Sequence, residues 1–199
     1  MRIASVVRER QASAGRFDSR QVASNDVEPR IKNMIVLMMG VCGCGKTTTG
    51  EALAAALTWP FFDADDFHPP ANVAKMASGQ PLDDDDRWPW LDRIADEMRG
   101  ILARGAHAVF ACSALKQAYR DRLLRAGDVR IVYLKGDEAL IASRLAGRQH
   151  RYMPPTLLAS QLATLEEPRD ALPIDIGDPV PVQVRHIVDA LALAAPDAR

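Results

Sequence analysis

The sequence predicts an α/β fold: a five-stranded parallel sheet with helices on both faces. Three observations lead there. Short continuous apolar runs alternate with segments of helical period, the pattern of a sheet buried on both sides. A glycine-rich turn joins the first apolar run directly to the first helical segment. The 199 residues, 48% hydrophobic and 26% charged, suffice for one domain with a sizeable core.

Residues 1–33 read as a disordered N-terminal extension, rich in Arg, Ser and Ala and without a sustained period. Glu9, Asp18, Asp26 and Glu28 argue against a transit peptide. A flexible tail, or a chain truly beginning at Met34, fits better. The folded domain is then 34–199. "MIVLMM" (34–39) is the first buried strand, with Met34, Met38 and Met39 as core filler. A helix follows over 46–57, then a second strand, "PFFDAD" (60–65), ending in acids. A short helix spans 71–77 and closes at Ser78-Gly79. Leu91, Ile94, Met98, Ile101 and Leu102 share one helical face, with Trp88 and Trp90 as packing anchors. "HAVFACS" (107–113) and "VRIVYLKG" (129–136) are the third and fourth strands, with helices over 116–126 and 137–147. "LPIDIG" (172–177) is the fifth strand, and 180–195 the closing helix.

A formal net charge of −1 gives no global attraction to nucleic acid or a membrane surface. No apolar run approaches the roughly 18 residues of a membrane span. Three cysteines form no disulfide framework and suit a reducing cytosol. Cys42-x-Cys44 lacks a Cys/His pair at zinc spacing, so small semi-buried thiols are the better reading. Close to a helix N-terminus, they are expected to be acidic and prone to oxidation.

Gly40 to Thr47 reads GVCGCGKT and matches G-x-x-x-x-G-K-[ST], with a strand before it and a helix after. Gly40, Gly43 and Gly45 permit the turns that aim main-chain N–H groups at phosphate oxygens. Val41, Cys42, Cys44 and Thr48 belong to the same cradle, and the helix start adds its positive end. Lys46 bridges β- and γ-phosphates; the Thr47 hydroxyl suits Mg²⁺. The chain should bind a nucleoside triphosphate.

Asp63-Ala64-Asp65-Asp66-Phe67-His68 falls at the carboxyl end of the second strand, where ligands of open α/β sheets bind. One acid there can hold Mg²⁺ through water, and another can accept a proton from an attacking hydroxyl.

"GVCGCGKTTTGEALA", "FFDADDFHP", "KMASGQPLDDDDRWPWL", "CSALKQAYRDRL" and "YLKGDEALIASRLAGRQHRYMPPTLLASQLATLEEP" together resemble gluconokinase. This is the small bacterial type, related to shikimate kinase and the nucleoside monophosphate kinases. The likeness spans roughly 34–195. It implies a P-loop kinase fold with a mobile lid, a cytoplasmic homodimer, and ATP and Mg²⁺ as cofactors. The implied reaction moves the ATP γ-phosphate to the 6-hydroxyl of D-gluconate, giving 6-phospho-D-gluconate and ADP. By the resemblance Lys46 and Thr47 serve phosphate and metal, Asp63 lies near the metal, Asp65 is the base and His68 stands on the acceptor side.

Gluconate carries a carboxylate, and Arg87, Lys116 and Arg120 can supply its cationic partners. Lys116 and Arg120, four apart, are expected on one helical face. Lys75 is helix surface or pocket rim. The acids of 83–86 favourably meet the positive end of their helix. Arg144, Arg148, His150 and Arg151 bracket a segment ending in Pro154-Pro155. Arg144 and Arg148 suit a lid whose cations meet charge on the transferred group. Adenine is expected around Asp175 to Pro179. Three alternatives compete, and one of them, a nucleoside monophosphate kinase, would need a base-reading pocket that nothing in the sequence announces. Shikimate kinase would carry a glycine triplet where this chain has "CSALK", and a nucleotide-gated regulatory module would have no need of Asp65.

Overall fold

The computed structural model describes residues 33–146 and 156–193. β1 (Ile35–Met39) leads through the glycine-rich turn into α1 (Lys46–Leu57). β2 (Phe61–Asp63) passes into a 3₁₀ turn (Ala64–Phe67), then α2 (Pro70–Ala77) and the long α3 (Asp84–Ala103). β3 (Ala108–Ala111), α4 (Gln117–Leu124), β4 (Val129–Lys135) and α5 (Glu138–Ala146) follow. α6 (Thr156–Thr164), β5 (Leu172–Asp175) and α7 (Val180–Ala190) complete the described chain.

The five strands form one parallel sheet in the order β2-β3-β1-β4-β5. Every residue of β1 is buried, and its alternation divides the core in two. Val36 and Met38 meet Leu53 and Leu57 of α1 and Ile187 of α7. Ile35, Leu37 and Met39 meet Leu91, Ile94 and Met98 of α3 and Leu123 of α4. A strand covered on both faces is why its sequence is an unbroken apolar run.

The order places the carboxyl ends of β2, β3 and β1 side by side. The turn after β1, Asp63 and the loop after β3 therefore open onto one edge of the sheet, outside the strand ends.

The structure shortens several expected elements, each for a local reason. The second strand stops at Asp63 instead of 65, because the Asp63 carboxylate accepts the Asp65 N–H (3.1 Å) and turns the chain. The fifth stops at Asp175, whose carboxylate accepts the Gly177 N–H (2.8 Å). Helix α4 begins at Gln117, since Lys116 is extended (φ −88°, ψ 149°). α7 ends at Ala190, with Ala192 in the left-handed region (φ 50°). Helix α6 was not anticipated. The extension read at 1–33 lies outside the described residues except for Asn33, whose amide donates to Leu102 O (2.5 Å). Arg148, His150 and Arg151 also lie outside them, as does the segment expected to be the lid beyond Ala146.

Candidate active site

The turn after β1 has the backbone its glycines predict. Gly40, Gly43 and Gly45 all take positive φ (145°, 79° and 102°), a region that side chains strain. Space forbids side chains as well: a Cβ on Gly40 would lie 2.8 Å from Cys44 Sγ, and one on Gly43 2.7 Å from Leu145 Cγ. Lys46 Nζ donates to the carbonyls of Gly40 and Val41, 3.0 Å each, and so lies across the cradle. Gly45 precedes the first helical residue, which leaves the α1 N-terminus without a side-chain cap and free to face an anion.

The Thr47 hydroxyl donates to Asp63 Oδ2 at 3.1 Å, joining α1 to the end of β2. This pair supplies hard oxygen donors beside a phosphate cradle, the chemistry that suits Mg²⁺. Asp63 also caps the 3₁₀ turn, so one carboxylate shapes the turn and faces the metal position.

Asp65 stands at the start of that turn with 76% of its side chain exposed. Crowding by surrounding protein, then the like charges of Asp63 and Asp66, raise its carboxyl above the ordinary aspartate range, while Lys46 lowers it. Water at the exposed side chain moderates that shift. His68 Nε2 lies 3.9 Å from Asp65 Oδ1. Its ring stacks on Trp90 at 4.2 Å, and Trp90 Nε1 donates to Ala64 O (2.7 Å). Burial, with the Arg87 charge, lowers His68 to about 4, so near neutral pH it is an uncharged ring.

A second cluster is drawn from α3 and α4, and the charge of its Arg87 reaches His68. Asp84 accepts from Lys116 Nζ with both oxygens (2.8 Å each) and from the Tyr119 hydroxyl. Arg87 Nη1 donates to the same hydroxyl (3.2 Å) and lies 3.9 Å from Asp84. Lys116 and Arg87 both sit over the Tyr119 ring, at 5.4 and 5.7 Å from its centroid. Asp84 therefore organises the cations, a role beyond meeting a helix end. Asp83 and Asp86 form a reciprocal capping box for α3, and Lys75 pairs with both of them. The first-turn acids were expected to serve the helix, and these two do; Lys75 is structural.

Arg120 departs from expectation. Lys116 precedes α4 in an extended conformation, so the two share no helical face. Arg120 is 1% exposed, and its guanidinium donates to Ala114 O (3.0 Å), Leu115 O (2.9 Å) and Gln117 Oε1 (2.7 Å). Its donors hold the loop after β3. Within that loop Ala114 sits at a positive φ of 43°.

The cysteine expectation is also corrected. Burial raises the Cys42 thiol, outweighing the lowering by Lys46, and Cys44 is only 1% exposed. Both belong to the core cluster beside α1. Thr48, exposed on the first turn of α1, keeps its place beside the cradle.

Arg144 Nη2 donates to Ile176 O (2.6 Å), which ties α5 to the loop after β5. That loop is held a second time. Gln183 Nε2 donates to Asp178 O (2.7 Å), while Gln183 Oε1 accepts from Thr49 of α1 (2.8 Å). Sequence reading missed Gln183, Gln161 and Glu166. Gln161 Oε1 accepts the Cys42 N–H of the cradle (2.6 Å), and Glu166 accepts the Gln117 N–H (2.6 Å). Gln183 and Thr49 left one signal: a polar residue four before the buried Ile187, and another four before the buried Leu53.

The comparisons with known proteins show the family. The family described as "AAA domain" matches residues 35–168. The chain is 42% identical over 173 residues to a probable gluconokinase of Xenopus tropicalis, covering 77% of this chain and 91% of that protein. It is 44% identical over 155 residues to a gluconokinase of Gluconobacter oxydans, covering 77% of this chain and 86% of the other. A solved gluconokinase of Sinorhizobium meliloti superposes with a TM-score of 0.71 at 43% identity, over 82% of this chain and 94% of that one.

Proposed function

The chain belongs to the gluconokinase family of P-loop kinases, and from that premise we propose how its own residues carry the reaction. As a gluconokinase it transfers the γ-phosphate of ATP to D-gluconate, giving 6-phospho-D-gluconate and ADP. The observation that carries the residue assignment is the convergence of Lys46, Thr47, Asp63 and Asp65 on one sheet edge, with His68 beside Asp65 and within reach of the Arg87 charge.

The main-chain N–H groups of the Gly40–Thr48 cradle and Lys46 hold the phosphates. Thr47 and Asp63 would hold Mg²⁺, and the ion would supply charge neutralisation for the phosphates. Asp65 accepts the proton of the 6-hydroxyl as that oxygen attacks; its raised pKa improves it as a base near neutral pH. His68, uncharged and held against Trp90, offers a hydrogen bond beside the attacking hydroxyl. Lys116 and Arg87 pair with the gluconate carboxylate, which takes over positions that Asp84 now occupies. Arg120 serves the substrate through the loop it holds. Arg144 meets the nucleotide, and Arg148, outside the described residues, meets charge on the transferred group as the resemblance implies.

The same proposal includes a homodimer, a cytoplasmic location and a mobile lid, on the strength of the family resemblance. No helix among the described residues is long and apolar enough to cross a membrane. The test is ADP release from Mg-ATP with gluconate, shikimate, a nucleoside monophosphate or no acceptor. Turnover with gluconate over a low background is expected. Acceptor-independent hydrolysis would return the chain to a regulatory reading.

A further inference from the structure

Helix α4 starts without the means to cap itself. Its N-cap position is Lys116, whose side chain can only donate, and its first turn holds no acid. The Gln117 N–H nevertheless has a partner: the Glu166 carboxylate at 2.6 Å, 49 residues further along the chain. The main chain of Glu166 makes a second contact there, its N–H donating to Leu115 O at 3.0 Å. One residue thus grips the chain immediately before and immediately after Lys116.

We propose that Glu166 is a positioning residue for the acceptor site, setting the direction of Lys116 by holding Leu115 and Gln117 on either side of it. The assignment rests on the gluconokinase reading, in which Lys116 meets the gluconate carboxylate.

The surroundings support positioning over simple packing. The Gln117 contact is solvent-exposed, so it adds little to the core. Arg120 holds Ala114 O and Leu115 O from the buried side, and Glu166 holds the same loop from the other. At the first of these grips Ala114 takes a positive φ, a conformation that persists only where neighbours over-determine it. The segment carrying Glu166 is itself anchored. Glu167 pairs with Lys135 of β4 (3.0 Å), and Gln161, on the preceding helix, bonds the Cys42 N–H of the phosphate cradle. The spacing between cradle and acceptor loop is thereby set through residues 161–167.

The charge matters too. A carboxylate at the start of α4 neutralises the positive end of that helix. An incoming sugar-acid carboxylate then finds its cations at Lys116 and Arg87, not at the helix terminus. Glu166 is therefore a determinant of where the acceptor's anionic end lies.

The experiment is steady-state kinetics on the full chain, varying gluconate at saturating Mg-ATP and then ATP at saturating gluconate. Glu166→Ala should raise KM for gluconate about tenfold, one broken charge-assisted hydrogen bond, and leave KM for ATP within about twofold. Glu166→Gln keeps an acceptor oxygen and should recover most of that loss. Glu97→Ala on α3, a carboxylate paired among the described residues only with Arg104 (3.8 Å), should stay close to wild type. An equal rise in both KM values, or an unchanged KM for gluconate, would overturn the assignment. If Glu166→Ala fails to fold, Glu166→Asp, whose shorter side chain draws the carboxylate back from the Gln117 N–H, decides by the same split. Turnover by the wild type of another acceptor instead would sink the functional reading separately, and KM for that acceptor would then judge Glu166.

Discussion

On the proposed assignment the phosphate side of the crevice is one unbroken stretch, Gly40 to Thr48, whereas the acceptor side is gathered from 63–68, 84–87, 112–120 and 166. The difference follows from what each side recognises. Phosphate oxygens are met by main-chain N–H groups and a helix end, which local turn geometry supplies. A sugar acid needs side chains of chosen sign at chosen places, and those come from separate elements. Each then depends on another residue for its direction: Lys116 on Glu166 and Asp84, His68 on Trp90, Arg87 on Tyr119.

Separate substitutions should affect the two sides separately, beginning where the effect is greatest. Asp65→Asn should lower kcat about 10³-fold, as expected for loss of a positioned base, with KM for ATP nearly unchanged. Near-normal kcat would remove the base assignment. Lys46→Met should lower turnover by about 10²- to 10³-fold, and equally for every acceptor, because it acts on the donor. A loss confined to gluconate would erase the division between the sides.

Acid should weaken the fold through the acceptor side. His68 has a folded pKa of about 4 against an ordinary 6.5. Below 6.5 the unfolded chain takes up a proton that the folded ring refuses. Stability is therefore complete above pH 6.5 and falls as pH drops toward about 4. The loss from this group amounts to about 3 kcal/mol at most. Urea unfolding across that range should show it, and His68→Phe, which keeps a ring against Trp90, should flatten the dependence. An unaltered slope would mean that other groups carry it.

Lys116→Ala should raise KM for gluconate about tenfold, the scale of a charged hydrogen bond, without changing KM for ATP. A uniform rise would place Lys116 in general packing. The smallest expected effect concerns Asp66, one of the charges that raise Asp65. A base works deprotonated, so activity falls as pH drops through the Asp65 pKa. Asp66→Asn should move that acid limb of kcat/KM to lower pH by a few tenths of a unit. A shift to higher pH would contradict the electrostatics.

The backbone shape of the cradle was legible because glycine spacing and a following helix specify it directly, whereas the Gln161 partner of its Cys42 N–H was not. Asp63 and Asp65 were legible from their place at a strand end. Arg120 was legible only as a cation. Spacing of four suggested a shared face with Lys116, but the helix starts one residue later and turns Arg120 inward onto Ala114 and Leu115. Asp84 looked like one helix-end acid among four, and only its neighbours Lys116 and Tyr119 distinguish it.

The sequence by itself determined the alternation of strands and helices, the phosphate cradle and the acids at the end of β2. All of these follow from periodicity or turn chemistry within about a dozen residues. Tertiary structure alone decided the sheet order that brings those ends together, the burial that keeps His68 uncharged and raises Cys42, and the contacts made by Gln161, Glu166 and Gln183. Those are contacts between residues far apart in the chain. A glutamate reads the same on any surface, and what gave this one its partners was the return of the chain after α6 past β4 to the loop that follows β3.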